Sequence, residues 1–406
     1  MTTVALQDLA VLECGTRLSV GMCGKLLSDL GARVTKVEPI DGDPARRIGP
    51  FPGDVPHQEQ SGLFAYLNQG KRGITLDLET AAGRSALRRL APSYDIVIAG
   101  GSYDELERWG LLYDSLGDVK PGLICTAITP FGLTGPRRAF ADSEIVVTAQ
   151  SGIGYYVPGP VPSLSMPPVI PGTHLTAFCA GVQSATATMV AVTGRSEGRG
   201  RQVDVSEQET FLDSLRMYLS TYAYEGVVHP RGAAEQAVAI RGQTGQCRDG
   251  YISNVPGPQS TDQAWLALVD AMDNPEWATD VQMFDLEYRR AHAPEIIARI
   301  NDWTMSLTKD EVARRLQLRH QTSLPVNEID DLLRDEQLEA RGYFTSMVQP
   351  GLEHARIPLS PIRFDGASIT SGALRAPLLG EHNAEVLSEA GFSAEERLWF
   401  ERSEVM

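Results

Sequence analysis

The residue types best suited to nucleophilic, acid–base or metal chemistry are thinly spread along this chain, and their spacing decides what they can do. Cys14, Cys23, Cys125, Cys179 and Cys247 form an odd, scattered set with no Cys-x-x-Cys pair. Neither a disulfide framework nor a zinc site is suggested, and the five read as reduced core thiols. His174 and His229 each stand alone in sequence, and a lone histidine is more often a satisfied structural residue than a base or ligand. Glu38 and Asp43 flank a turn rich in Pro and Gly, and Arg46 and Arg47 follow. That pattern suits either a salt-bridged structural turn or a loop beside a ligand. GSYDE (Gly101–Glu105) and GRGR (Gly198–Arg201) are glycine turns without the spacing of a dinucleotide fingerprint or a P-loop. Spacing alone yields no catalytic constellation and no metal site.

The elements that must position any such chemistry belong to a long acidic chain. Its 406 residues carry 36 Lys and Arg against 52 Asp and Glu, a net charge of −16. With 42% hydrophobic and 22% charged residues it can build large cores, which excludes disorder, collagen and coiled coil. The acidic field argues against a nucleic-acid partner, because it repels phosphate over most of the surface. No apolar run approaches the roughly 20 residues of a membrane span, and Met1–Val11 lacks a basic segment followed by an apolar one. A cytoplasmic chain with no membrane partner is therefore expected. Over the first 140 or so residues short apolar strands alternate with helical stretches. Strands are read at Ala5–Glu13, Arg33–Glu38, Ile96–Ala99 and Gly122–Thr129, an extended stretch at Thr75–Leu78, and helices at Gly21–Leu30 and Ala81–Leu90. This is the order of a doubly wound parallel sheet, whose ligands sit beyond the carboxyl ends of the strands. The Gly-, Pro- and Ser-rich stretch Phe131–Pro171 reads as a functional loop, Thr176–Val192 as a closely packed helix of small residues, and Gln202–Tyr224 as a strand edge leading into a long helix. From about His229 the texture changes to a Gly-rich loop (Arg241–Gln246), a strand near Tyr251–Val255 and charged helices, and a helix is expected again at Asn383–Ala390.

Nine segments, in order, carry a resemblance that no one of them would carry alone. They are LLSDLGARVTKVEPIDGDPARR (Leu26–Arg47), LNQGKRGITLDL (Leu67–Leu78), ERWGL (Glu107–Leu111), FGLTGP (Phe131–Pro136), SEIVVTAQSG (Ser143–Gly152), GRGRQVDVSEQET (Gly198–Thr210), CRDGYIS (Cys247–Ser253), LPVNEIDDLLRDEQLEARGYF (Leu324–Phe344) and PLLGEHNAEVLSEAG (Pro377–Gly391). Together they resemble the family III CoA-transferases, the CaiB/BaiF family. The resemblance implies an α/β fold with a Rossmann-like large domain from both chain ends and a smaller α+β domain from the middle, here 1–225, 226–323 and 324–406. It also implies an interlocked dimer, each protomer threaded through the other.

The chemistry it implies is covalent. An aspartate carboxylate attacks the donor acyl-CoA to give a mixed anhydride, the CoA thiolate returns to form an enzyme thioester, and the acceptor acid reverses the sequence. The family places that aspartate four residues before a glycine that matches Gly181, and the slot holds Ala177. A methyl group cannot form an anhydride. The nearest reactive residues are His174, Thr176 and Cys179, and the weak candidates for another acid or base are His174 and Glu144. The racemase branch of the family fares no better, since its His matches Ser143 and its Asp again matches Ala177. For coenzyme A or an acyl-CoA substrate, the resemblance assigns Arg17, Leu18 and Ser19, then Leu76, Asp77 and Leu78 beside the adenine, Gly100 and Gly101 in place of the family's Asn-Phe, and Arg108 for a phosphate. Arg108 could instead lie over Trp109 and pair with Glu105 or Glu107. The expectation is a nucleophile-lacking subunit of a heteromeric transferase, partnered by an Asp-bearing paralogue, that moves CoA between an acyl-CoA and a carboxylic acid. The alternatives are a homodimeric isomerase, racemase or lyase acting on acyl-CoA, and a non-catalytic acyl-CoA binding protein.

Overall fold

Residues 5–156, 165–170, 172–195, 198–228, 243–368 and 375–406 are described by a computed structural model. His229, Arg241 with Gly242, and much of the loop Gly152–Pro171 lie outside the described residues. Contacts divide the chain into one unit of Met1–Pro158, Pro168–Val228 and Gly342–Met406, and another of Gly159–Pro167 and His229–Arg341.

The first unit is organised by six parallel strands: β1 (Ala10–Cys14), β2 (Arg33–Glu38), β3 (Arg72–Thr75), β4 (Ile96–Gly100), β5 (Ile124–Thr129) and β6 (Arg201–Ser206), in the order β3-β2-β1-β4-β5-β6. Val11 stands opposite Val34 on one side and Ile96 on the other, so β1 is central and the chain reverses direction between β1 and β4. Helices cover both faces, which is why β1, β4 and β5 are buried along their whole length and read as apolar runs rather than alternating ones. Between the strands lie α1 (Leu18–Asp29), α2 (Gly62–Asn68), α3 (Ala81–Leu90), α4 (Tyr103–Trp109), α5 (Tyr113–Leu116), α6 (Glu144–Gln150), α7 (Ile153–Tyr156) and α8 (Leu175–Thr193), and β6 leads into α9 (Glu207–Leu212) and α10 (Arg216–Glu225). Helix α8 is long and apolar enough to cross a membrane by composition, but it buries Ala177, Ala180, Gly181, Ser184 and Ala185 as a core helix against α1. A β-carbon on Gly181 would fall 2.6 Å from Met22 Cβ and 2.8 Å from Ser19 O, so the close approach of the two helices requires glycine there.

The C-terminal segment returns to the same sheet. His382 N donates to Gly73 O, Thr75 N donates to Asn383 Oδ1, and Asp77 N donates to Val405 O. Both chain ends thus build one α/β unit. Its signature loop is held by buried charges. Arg46, 1% exposed, gives Nε and Nη2 to the two oxygens of Glu38 and Nη1 to Glu59. Lys36 bridges Asp43 at 2.6 Å and Glu13 at 3.1 Å, and Lys71 takes the other oxygen of Glu13 at 2.7 Å. Burial opposes the charge on Lys36, yet Asp43 and Glu13 hold it above its ordinary value. Lys71, left with a carboxylate it must share, is pushed down by burial to about 8.

The second unit has its own antiparallel sheet, β7 (Gln243–Cys247), β8 (Gly250–Val255) and β9 (Pro325–Val326), in that order. Helices Asp262–Ala271, Ala293–Met305 and Lys309–Gln317 enclose a core of Trp265, Leu268, Ile296, Ile300, Val312 and Leu316.

Candidate active site

At the carboxyl end of the parallel sheet, where β1 and β4 lead their helices away in opposite directions, the backbone itself makes room for a ligand. Gly15 closes β1 at φ +104°, and a β-carbon on it would lie 2.1 Å from Gly100 O. One on Gly100 would lie 2.2 Å from Val20 Cγ2. Glycine at position 100, where the family resemblance expects a larger residue, suits the close approach of β4 to the Val20 side chain on α1. Beside this point is a cleft of about 240 Å³ lined by Thr16, Glu38, Leu76, Asp77, Glu79 and Trp109, among others. Of the residues assigned to a CoA cradle, Leu76, Asp77 and Leu78 line this cleft, and Arg17, Leu18 and Ser19 follow Thr16 at the head of α1.

Arg108 stands exposed at the rim. Its Nε and Nη2 donate to the two oxygens of Glu79, at 3.1 and 2.9 Å, and Trp109 Nε1 donates to the same carboxylate at 3.0 Å. It reaches Glu79 rather than its helix neighbours Glu105 and Glu107, while lying 5.9 Å over the Trp109 ring. Those hydrogen bonds lower the Glu79 carboxyl below the usual range and raise the guanidinium. Glu105 is engaged elsewhere, in a capping box with Ser102 that starts α4.

A second cluster stands at the ends of β1, β5 and β6. Arg17 Nη1 meets Asp142 at 2.7 Å, and its Nε and Nη2 meet the two oxygens of Glu207 at 3.0 and 2.5 Å. Ser19 Oγ donates to Glu207 Oε1 at 2.6 Å. Burial works against the charge on Arg17, but Glu207 and Asp142 outweigh it and hold the guanidinium above its ordinary value. Arg17 and Ser19 thus spend their polar groups inside the protein. Neither Asp142 nor Glu207 stood out in the sequence. Ser206 with Glu209 three residues on marks the start of α9, but nothing local marks Glu207 as the partner of a residue 190 positions away.

Two residues after Asp142, α6 begins with Glu144, which brings together the two weak candidates for acid–base chemistry. His174 Nδ1 is 2.6 Å from Glu144 Oε2, and Ala177 N donates to Glu144 Oε1 at 3.5 Å. Thr148 Oγ1 donates to Glu144 O at 2.8 Å and meets Thr176 Oγ1 at 2.5 Å, tying α6 to the first turn of α8. His174 occupies the left-handed region, φ 51° and ψ 32°, as the residue preceding α8, a conformation that costs a non-glycine residue free energy and clusters at functional sites. Ala177 is in the first turn of α8, 7% exposed. Ser143 precedes α6 without a side-chain capping bond. Cys179, one turn along α8 and partly buried, has its thiol pushed up by burial, as do Cys14, Cys23, Cys125 and Cys247, and all five are free thiols. Among the described residues no group of three or more His, Cys, Asp and Glu side chains could hold a metal ion.

The comparisons with known proteins agree with this architecture. Residues 6–383 match the family model described as CoA-transferase family III. The chain is 30% identical over 395 residues to the succinyl-CoA–L-malate CoA-transferase beta subunit of Chloroflexus aurantiacus, covering 96% of this chain and 94% of that one. It is also 30% identical over 385 residues to the succinyl-CoA:(R)-benzylsuccinate CoA-transferase subunit BbsE of Thauera aromatica, covering 91% and 90%. A crystal structure of a CaiB/BaiF family protein from Brucella suis superposes with a TM-score of 0.79 at 28% identity, covering 96% of this chain and 99% of that one. With its parallel sheet, its glycine-lined switch point and a family match over nearly its whole length, the chain belongs to CoA-transferase family III.

Proposed function

We propose that this chain is the nucleophile-lacking subunit of a heteromeric CoA-transferase, working with a paralogue of the same family that supplies the attacking aspartate. The reaction moves CoA from an acyl-CoA of the succinyl type to a carboxylic acid. The observation that carries this reading is Ala177, a methyl group in the first turn of α8 where the family resemblance expects the nucleophile. Two relatives bearing subunit names, one beta subunit and one designated BbsE, support it. In this arrangement the partner's carboxylate forms the anhydride and the enzyme thioester, while this chain contributes the cleft at β1–β3 and an interlocking surface. The cytoplasm is the compartment we assign, supported by five thiols that form no disulfide. Co-expression with an Asp-bearing paralogue tests the reading. The pair should co-purify and exchange CoA between succinyl-CoA and an acid such as malate, and the chain alone should not. Exchange by the homogeneous chain, or failure of any such paralogue to associate, would overturn it.

A second reading, acid–base chemistry on an acyl-CoA by a homodimer of this chain, is favoured by one observation, the contact between His174 and Glu144.

A further inference from the structure

The pair formed by Glu144 and His174 has an arrangement that CoA exchange does not require. His174 Nδ1 is 2.6 Å from a carboxylate oxygen, and a proton held on that nitrogen leaves the Nε2 lone pair on the other side of the ring. No described protein group bonds Nε2, and with 34% of the side chain exposed, water reaches it. The carboxylate behind it also accepts from the Ala177 amide on Oε1, at 3.5 Å. His174 itself precedes a 19-residue helix whose first amides lack intrahelical acceptors and carry the positive end of its dipole, and the Ala177 amide among them is already taken by Glu144 Oε1. A base oriented by a carboxylate, beside donors for an oxyanion, is the equipment for attack on a carbonyl by water. The methyl of Ala177 leaves the attacking role to that water.

We infer that Glu144 and His174 activate water and that this chain hydrolyses acyl-CoA thioesters, an activity separate from CoA exchange. His174 Nε2 takes a proton from water as the water oxygen bonds to the thioester carbonyl carbon. The carbonyl oxygen becomes an oxyanion for which the donors are those amides at the start of α8 that Glu144 leaves free. Collapse breaks the C–S bond, and the leaving thiolate receives the proton from Nε2, so that one thioester and one water give one carboxylic acid and one free CoA thiol. His174 is the catalytic residue of this step, and Glu144 is the positioning residue that fixes its tautomer. The inference rests on the reading that an acyl-CoA enters the cleft beside Thr16, whose neighbour Arg17 bonds Asp142 two residues ahead of Glu144.

The test uses the full chain, in whatever assembly it purifies, with succinyl-CoA as the probe, no acceptor acid and ¹⁸O-labelled water. Thiol release is followed by a chromogenic reagent above the enzyme-free background, and the released succinate is weighed by mass spectrometry. One ¹⁸O per turnover is expected. His174→Ala should slow release about 100-fold, with partial recovery on adding free imidazole. Glu144→Gln should slow it and move the rise of rate with pH, a readout that loss of a merely structural contact leaves in place. If His174→Ala loses its fold, His174→Asn, which tolerates the left-handed backbone, replaces it. Calorimetry of succinyl-CoA binding is run in parallel. Binding without ¹⁸O incorporation, or an unchanged rate in the folded His174 variants, overturns this inference and leaves the transferase reading standing. Absence of binding overturns both.

Discussion

Placing a carboxylate by Ala177→Asp where the proposed reading expects the family's nucleophile probes the site's electrostatics as well as its chemistry. Ala177 N already faces Glu144 Oε1 at 3.5 Å, so a carboxylate on residue 177 comes to within roughly 4 Å of the one on Glu144. Two such charges near a protein surface repel by about 4 kcal/mol. Partial exposure of Glu144 and salt reduce the net cost to roughly 1–3 kcal/mol at neutral pH. The sign with pH follows from the repulsion. The folded variant binds a proton more readily than its unfolded chain, so the penalty is full above the raised value of the coupled carboxyls, fades as pH falls from there to the ordinary carboxylate range, and is gone below it. Chemical denaturation of the native protein, Ala177→Asp, Glu144→Gln and the double variant, at pH 7.5 and pH 4.5, measures the coupling. The double variant should recover most of the loss seen in Ala177→Asp at pH 7.5. The same proteins are assayed for CoA exchange between succinyl-CoA and an acid, where gain of activity marks a degenerate transferase site. An Ala177→Asp variant as stable as the native protein at both pH values would refute the placement of Glu144 against the start of α8. A stable, CoA-binding variant without exchange would show that the pocket around residue 177 no longer seats an acyl group for a carboxylate.

Removing Arg108, whose pair with Glu79 is exposed, should leave thermal stability nearly unchanged while weakening CoA binding about tenfold, because the Glu79 carboxylate at the cleft's edge is then unscreened. Equal affinity with a lowered midpoint, measured by calorimetry at one salt concentration, would return Arg108 to a structural role. Arg17→Ala leaves Glu207, 3% exposed, with Ser19 as its side-chain donor, and should destabilise the fold by about 3 kcal/mol in denaturant titrations, with Arg17→Lys recovering less than half. Lys71, pushed down to about 8 from an ordinary 10.5, gives a stability that rises with pH between those values, where the unfolded chain holds the extra proton. Lys71→Met should flatten that rise in denaturation midpoints taken from pH 7.5 to 10, and a slope equal to that of the native protein would refute the shared-carboxylate account.

The sheet was legible where local pattern and burial coincide. β2 at Arg33–Glu38 and α3 at Ala81–Leu90 fall on the residues that periodicity selects. β1 does not begin at Ala5, because residues 5–8 form a turn and Leu6 N bonds Leu30 O; the strand starts at Ala10. β3 ends at Thr75, the first residue of the extended stretch read over Thr75–Leu78, since the chain turns at Asp77 to cap α3 with Thr80. The stretch Phe131–Pro171 reads as loop, yet Glu144–Gln150 is a helix whose exposed Ile145 and Val146 blur its amphipathic period. The long helix expected after β6 is broken at Asp213–Leu215 by a turn of tighter helix. The candidate site was less legible for a different reason. Its partners are 30 positions apart for Glu144 and His174 and 190 for Arg17 and Glu207, so no spacing rule applies.

Position along the chain also hides how these pairs depend on one another. Asp142 is held by Arg17, Glu144 follows it by two residues, and Thr148 one turn later grips Thr176 on α8. The ion cluster that closes β1, β5 and β6 therefore also fixes where α6 starts and how its first carboxylate meets His174. Arg17 lies outside the reacting groups on this view, yet its loss should reach them through α6. Arg17→Ala should lower thiol release from succinyl-CoA more than stability accounts for, with added imidazole giving no recovery, since the ring is present but misaligned. Recovery by imidazole in Arg17→Ala would place the damage at the base itself and sever this coupling.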